Sequence, residues 1–248
     1  MDEIMKKHYA MAKQYETSMP FVRVNFRDKQ IIFNTPNEKC AYFAFSLYNR
    51  EPMTNDWIDT FQPGEVFFDI GANNGMYGLL AAIVKECTVY AFEPHFGSYN
   101  ILCQNIYSNE LQNKMFAYPL AVSDHEGFGE LYLSATFAGK SLNNFGESRP
   151  HDDPLWNATS PQAAVTTNLD LFVARTGVIP NHIKIDVDGI EPAIINGANV
   201  VLSDPRLKSV MIELDMEDKN HLAVFDKLAV HGFTKHESDP ACGVFFYR

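Results

Sequence analysis

The stretch from Val66 to Val84 constrains the fold of this 248-residue chain more than any other. An apolar run, Val66-Phe67-Phe68, leads into Asp69-Ile70-Gly71-Ala72-Asn73-Asn74-Gly75 and on to Met76-Tyr77-Gly78-Leu79-Leu80-Ala81-Ala82-Ile83-Val84. That order predicts a buried strand, a glycine-rich turn and a buried helix. Glycines let such a turn bring backbone N–H groups close to a ligand at a helix start.

The alternation continues. Strands are expected over residues 88–92, 116–122, 183–187, 208–214 and 244–247, with helices over 97–108, 191–202 and 219–231. Repeated strand–helix units imply a largely parallel sheet covered by helices on both faces. Residues 63–248 read as this α/β domain, and residues 1–62 as an N-terminal cap. The cap is expected to hold a polar helix over 2–18, a hairpin turning at Arg27-Asp28-Lys29, and short helices over 41–48 and 56–61. Between Asp124 and Ile183 the rhythm fails. An added strand is expected over 128–133 and a short helix over 167–175. Residues 134–161 are rich in Ser, Asn, Gly and Pro without a period, and such a long inserted loop is usually functional or disordered.

In an open α/β sheet, ligands bind beyond the carboxyl ends of the strands. Five of the expected strands end in acids: Asp69; Glu93 in Glu93-Pro94-His95; Asp124 in Ser123-Asp124; Asp186 and Asp188; Glu213 and Asp215. So many like charges are costly unless they meet cationic or hydroxyl-bearing groups. Asp69 would repel a pyrophosphate and attract an ammonium and a sulfonium, which points to S-adenosylmethionine rather than a dinucleotide. The turn also lacks the G-x-G-x-x-G spacing of nicotinamide cofactor sites. Gly71, Ala72, Asn73 and Gly75 are the expected backbone cradle. Glu93 and Pro94 are expected at the ribose, since a carboxylate can accept both its hydroxyls. Ser123 and Asp124 are candidates for the adenine, with a turn role equally open for Asp124.

Three blocks carry a resemblance: residues 63–75 (Pro-Gly-Glu-Val-Phe-Phe-Asp-Ile-Gly-Ala-Asn-Asn-Gly), Ala91-Phe92-Glu93-Pro94, and Lys184-Ile185-Asp186-Val187-Asp188-Gly189-Ile190-Glu191. In this order and spacing the chain resembles FkbM-type methyltransferases over roughly residues 60 to 215. The resemblance implies a class I, Rossmann-like fold with a mainly parallel seven-stranded sheet. It also implies S-adenosylmethionine as cofactor and O-methylation of a hydroxyl on a sugar or natural-product-type small molecule or glycan. Asp188 departs from the family pattern, which usually has Glu, and residues 134–161 match no family motif. The alternatives are an N-methyltransferase and a non-catalytic module that binds S-adenosylmethionine.

Asp186 is the first candidate base for the acceptor hydroxyl, followed by His95 and Glu213. A surface-loop role for His95 competes with the catalytic one. Strand alternation puts Lys184 on one face with Asp186, either as an ion pair or as a substrate contact. Asp188 and Glu191 are either helix caps or catalytic groups. Asp186, Asp188 and Glu213 are also the oxygen ligands Mg²⁺ would use, but no metal is expected. Phe137, Phe145 and Trp156 either line an acceptor pocket or tether the long loop.

Bulk properties exclude some partners. The chain has 31 Asp/Glu against 20 Lys/Arg, a formal charge of −11, unlike a nonspecific nucleic-acid binder. Its first eight residues mix charges without an apolar core, unlike a signal peptide, and the apolar run 79–84 is too short to span a bilayer. No membrane partner is expected. Cys40, Cys87, Cys103 and Cys242 form no metal-type spacing, and buried thiols at Cys87 and Cys103 suit a reducing cytoplasm. A homodimer contact through residues 1–62 is left open.

Overall fold

The structure, a computed structural model, describes residues 2–140, 143–146, 160–239 and 243–248. Trp156 and Cys242 lie outside the described residues. The chain begins with α1 (Glu3–Thr17), the hairpin β1 (Phe21–Phe26) and β2 (Lys29–Asn34), α2 (Glu38–Ser46) and α3 (Pro52–Asp59). Then come β3 (Val66–Ile70), α4 (Met76–Val84), β4 (Thr88–Phe92), α5 (Phe96–Ser108), β5 (Met115–Tyr118), β6 (Leu120–Val122), β7 (Gly127–Leu133), β8 (Asn144–Phe145) and β9 (Ser160–Thr167). The chain ends with α6 (Leu169–Thr176), β10 (His182–Ile185), α7 (Glu191–Asn196), α8 (Asn199–Ser203), β11 (Ser209–Ile212), α9 (Lys219–Val230), β12 (Thr234–Asp239) and β13 (Gly243–Tyr247).

Seven strands form one sheet in the order β12-β13-β11-β10-β3-β4-β5. The five strands from β11 to β5 run parallel, and β13 and then β12 add antiparallel at one edge. The order reverses between β3 and β10, so the chain leaves β3 and β10 with a crevice between their ends. Side-chain alternation divides the core. Phe67, Val89, Ala91, Met211 and Phe245 pack on one face with α4 and the N-terminal segment. Phe68, Phe92, Ile185, Val210, Ile212 and Phe246 pack on the other with residues of α6–α9.

The N-terminal segment shares the first of these cores. Trp57 is buried, with its ring 4.9 Å from Phe61, 5.8 Å from Phe67 and 5.9 Å from Phe245. Its indole N–H donates to Ser209 Oγ at 2.8 Å. Asn105 of α5 and Asn109 just past its end accept the backbone N–H groups of Asn34 and Ile32, at 2.7 and 2.8 Å, which holds the hairpin.

Several elements differ from expectation. Residues 116–122 are two strands, because Pro119 separates β5 in the large sheet from β6 in a second one. That second sheet has the order β6-β9-β7-β8, so the segment 134–161 contains β8 and the start of β9. The helix expected over 191–202 breaks into α7 and α8 at Gly197. A Cβ there would lie 2.5 Å from the Ser123 carbonyl oxygen and 2.8 Å from Asn168 Cβ, so the turn is pressed against the end of β6. The edge strand β12, polar and exposed, was not expected at all. Cys40 and Cys87 are buried free thiols and Cys103 is half-buried. No helix among the described residues is long and apolar enough to cross a membrane.

At the amino ends of the central strands, Glu65 accepts the Gln62 N–H at 2.7 Å, faces His182 Nε2 at 2.8 Å and pairs with Lys208. Burial pushes its carboxyl up, but the Gln62 N–H, Lys208 and His182 outweigh that and bring it down from 4.5 to about 2. A depressed carboxylate stabilises the fold above the unfolded value and loses that contribution as pH falls through the folded one. Wild-type stability should therefore decline between pH 4.5 and about 2, and Glu65→Gln should flatten that decline in urea titrations. Trp57→Ala should cost about 3–5 kcal/mol, seen as a lower urea midpoint at an unchanged slope.

Candidate active site

Gly71 follows β3 with φ +81°, in the left-handed region. A Cβ on it would sit 1.8 Å from the Asp186 carbonyl oxygen, so only glycine lets the chain leaving β3 pass the chain leaving β10. The N–H groups of Gly71 and Ala72 both donate to the Phe92 carbonyl at 3.0 Å, which ties the turn to the end of β4. Gly75 then opens α4.

A cavity of about 920 Å³, including its open mouth, lies over this turn. Its floor is Gly71–Asn74 with Met76 and Tyr77. Glu93 and Pro94 stand on one side and Asp186–Asp188 on the other, with Leu120, Ala121 and Val122 of β6 along a wall. Phe43, Arg50 and Glu51 of the N-terminal segment and Lys140, Asn143 and Phe145 of the second sheet region complete it.

The residues expected from sequence therefore separate. Gly71, Ala72, Asn73, Glu93, Pro94 and Asp186 line the cavity, while Asp69, Gly75, His95, Ser123, Asp124 and Glu213 are not in its lining. Asp69 is buried below the turn, where its Oδ2 accepts the Gly78 N–H at 3.1 Å. Burial pushes its carboxyl up to about 6, against the pull of the Lys184 ammonium. Gly75 packs on α5, since a Cβ would meet Leu102 Cδ1 at 2.5 Å. His95 is buried and caps α5, its Nδ1 accepting the Ser98 N–H at 3.3 Å, so it is no surface-loop histidine. Burial also lowers its pKa. Ser123 is buried, with its N–H donating to Thr167. Asp124 faces His125 Nδ1 at 2.7 Å, which holds its carboxyl below the ordinary value.

Glu93 is a buried carboxylate with both oxygens engaged. Oε2 accepts the Asn73 N–H at 2.7 Å and Oε1 accepts the His95 N–H at 2.8 Å. Burial nonetheless pushes it up to about 7, against those two donors. Asn73 Oδ1 and Asn74 Nδ2, on the floor, are buried without a hydrogen-bond partner.

On the other side, Lys184 is fully buried on the face it shares with Asp69, its neighbour in register. Its Nζ donates to Asp186 Oδ2 at 2.5 Å and lies 5.2 Å from the Tyr77 ring centroid. Burial favours the neutral amine, but Asp186, Glu51 and Asp69 together keep its pKa above the ordinary lysine value. The ion-pair alternative for Lys184 thus holds. Burial pushes Asp186 up as well, and the Lys184 ammonium more than reverses it, so Asp186 stays below the ordinary range. The Asp186 charge pushes the exposed Glu213 carboxyl up. Glu191 opens α7 without making a helix-cap bond: its carboxylate accepts the Val187 and Gly189 N–H groups of the preceding loop at 3.0–3.2 Å. Among the described residues, no three of His, Cys, Asp or Glu gather as metal ligands.

Phe43, Arg50, Glu51, Lys140 and Asn143 were missed from sequence. Each lies in a segment without a motif, and only packing brings it to the cavity. Phe145 does line the cavity, whereas Phe137 is half-exposed beneath the Lys140 ammonium.

The same architecture occurs in a solved structure. Aeropyrum pernix fibrillarin, crystallised with natively bound S-adenosyl-L-methionine, superposes with a TM-score of 0.50 at 7% identity, covering 92% of this chain and 81% of that one. The fold is that of class I methyltransferases. In sequence, the chain is 28% identical over 202 residues to the 31-O-demethyl-FK506 methyltransferase FkbM of Streptomyces tacrolimicus, covering 72% of this chain and 76% of that protein. The model of the methyltransferase FkbM domain matches residues 69–235, well over half of the chain and all three blocks around the cavity but for the approach to Asp69. The chain belongs to the FkbM methyltransferase domain family.

Proposed function

We propose that the protein transfers the methyl group of S-adenosylmethionine to a hydroxyl of a sugar or natural-product-type small molecule. One observation carries the reading: a glycine turn with unpartnered buried polar atoms separates two carboxylates, Glu93 and Asp186, on a single cavity. The O-demethyl substrate in the name of the FkbM relative supports a hydroxyl acceptor.

The residues present fit the cofactor. Gly71 brings backbone against the cavity floor where any Cβ would collide. Glu93 is placed to accept from a ribose diol, and Asn73 Oδ1 and Asn74 Nδ2 are an acceptor and a donor still to be satisfied. Bound there, S-adenosylmethionine would supply a methyl group on a positively charged sulfur, already a good leaving group. Asp69 supports the turn from below, its Oδ2 accepting the Gly78 N–H.

The protein's contribution is then alignment and one proton. Fixing an acceptor oxygen against the methyl is worth about 7–11 kcal/mol. Asp186 is the base: it lines the cavity, and Lys184 holds it ionised. A hydroxyl becomes strongly acidic as its oxygen gains a new bond, so a weakly basic carboxylate suffices. Phe43 and Phe145 give the walls apolar surface. Free thiols at Cys40, Cys87 and Cys103 suit a reducing, cytoplasmic setting.

Glu93→Ala should weaken S-adenosylmethionine binding by about tenfold or more, measured by calorimetry on folded protein. Unchanged affinity would remove Glu93 from the cofactor site. Asp186→Asn should retain cofactor binding and lose about 10²-fold or more in turnover, read as S-adenosylhomocysteine release in an acceptor screen. Full turnover would remove Asp186 as the base.

A further inference from the structure

Two cations, Arg50 and Lys140, line the cavity and a third, Lys39, stands next to its wall residue Phe43, in a chain that carries a net charge of −11. Lys39 Nζ and Arg50 Cζ both stand over the Phe43 ring, 5.2 and 4.7 Å from its centroid. Phe43, Arg50 and Lys140 line the cavity together. Lys140 comes from the connection between β7 and β8, and its neighbour Gly139 packs on Lys39: a Cβ there would lie 3.2 Å from Lys39 Cγ. The Lys140 carbonyl accepts from Asn143 Nδ2 at 3.2 Å and from Asn73 Nδ2 at 3.4 Å, which fixes it above the glycine turn. All three cations are half-buried.

Their charges are poorly compensated. Arg50 Nε is 3.4 Å from Glu51 Oε1. Among the described residues, neither Lys39 nor Lys140 has a carboxylate within salt-bridge distance. Burial, then Arg50 and Lys140, push Lys39 below the ordinary lysine value, as expected for like charges held together. Partly desolvated cations without a counterion are costly, and an arriving anion relieves that cost. S-adenosylmethionine brings one carboxylate, enough for one unit of charge. With Arg50 facing Glu51, one of the two lysines would remain unmatched.

We propose that Lys39, Arg50 and Lys140 form an anion subsite, and that the acceptor carries a carboxylate or phosphate that this subsite holds. This rests on the methyltransferase reading above. The cavity then has a cationic side and an acidic side. An acceptor anchored by its anion at Lys39, Arg50 and Lys140 turns its hydroxyl end toward Asp186. Specificity follows from charge as well as shape, because a neutral analogue leaves an ammonium group unmatched.

Inorganic phosphate is the probe, titrated by phosphorus NMR into the full-length protein with and without saturating S-adenosylhomocysteine. The cofactor product itself is titrated separately by calorimetry. Wild type should bind phosphate in both states. The double variant Lys39→Gln/Lys140→Gln should bind it about tenfold more weakly, with S-adenosylhomocysteine affinity unchanged, and Lys39→Arg/Lys140→Arg should restore phosphate binding. Failure of wild type to bind phosphate, or equal binding by the Gln variant, would overturn the subsite. Loss of S-adenosylhomocysteine affinity in the Gln variant, with phosphate bound only by cofactor-free protein, would assign the subsite to the cofactor carboxylate and overturn the acceptor claim. If wild type binds no S-adenosylhomocysteine, the methyltransferase reading fails, while the phosphate arm still decides on the subsite by itself.

Discussion

The buried ammonium of Lys184 is the contact on which the site depends. It lies in the middle of the sheet, beside Asp69 of β3 and against Asp186 beyond β10, with Glu51 reaching in from the N-terminal segment. An unpaired ammonium or carboxylate in that position would cost several kcal/mol. Together they hold three separate parts of the chain in register, and removing any one partner leaves the others uncompensated. Asp69 in turn accepts the Gly78 N–H and so fixes the start of α4 under the turn. The charge that keeps Asp186 ionised is the same charge that anchors the turn.

Around that ion cluster the packing is apolar and layered. Alternating side chains of the parallel strands feed two cores, and the N-terminal segment closes one of them through Trp57, Phe61 and Phe33. This closure has a chemical consequence. It carries Phe43, Arg50 and Glu51 to the cavity, so the segment that completes the core also supplies walls to the site. The second sheet does the same from the opposite direction, through Lys140, Asn143 and Phe145.

Much of the fold was legible from periodicity. Strand β3, the turn and α4 are where Val66 to Val84 put them, and β4, β10, β11, α5 and α9 follow the same logic within a few residues. The failures have local causes. Pro119 breaks what reads as one strand, Gly197 breaks what reads as one helix because another chain segment crosses there, and β12 is a solvated edge with no apolar signal. In the site, Gly71 and Glu93 were legible because their chemistry is in their own motif. The burial of Asp69 was not: a carboxylate at a strand end gives no sign of the helix packed on it, whose Gly78 N–H its Oδ2 accepts. The burial of His95 was hidden in a similar way, since a histidine after Glu-Pro gives no sign that it caps α5 instead of standing on a surface loop.

The sequence by itself determined the strand–turn–helix unit, the order of the acidic strand ends and the family, because these rest on short-range spacing and on the twofold and 3.6-fold periods of the backbone. The tertiary structure decided which acids face the cavity and which are buried beneath it, and it brought Lys39 and Arg50 over Phe43 and Lys140 to the cavity that Phe43 and Arg50 line. Those outcomes depend on contacts between residues far apart in the chain. Burial and charge act through space, and no local pattern of residues records them.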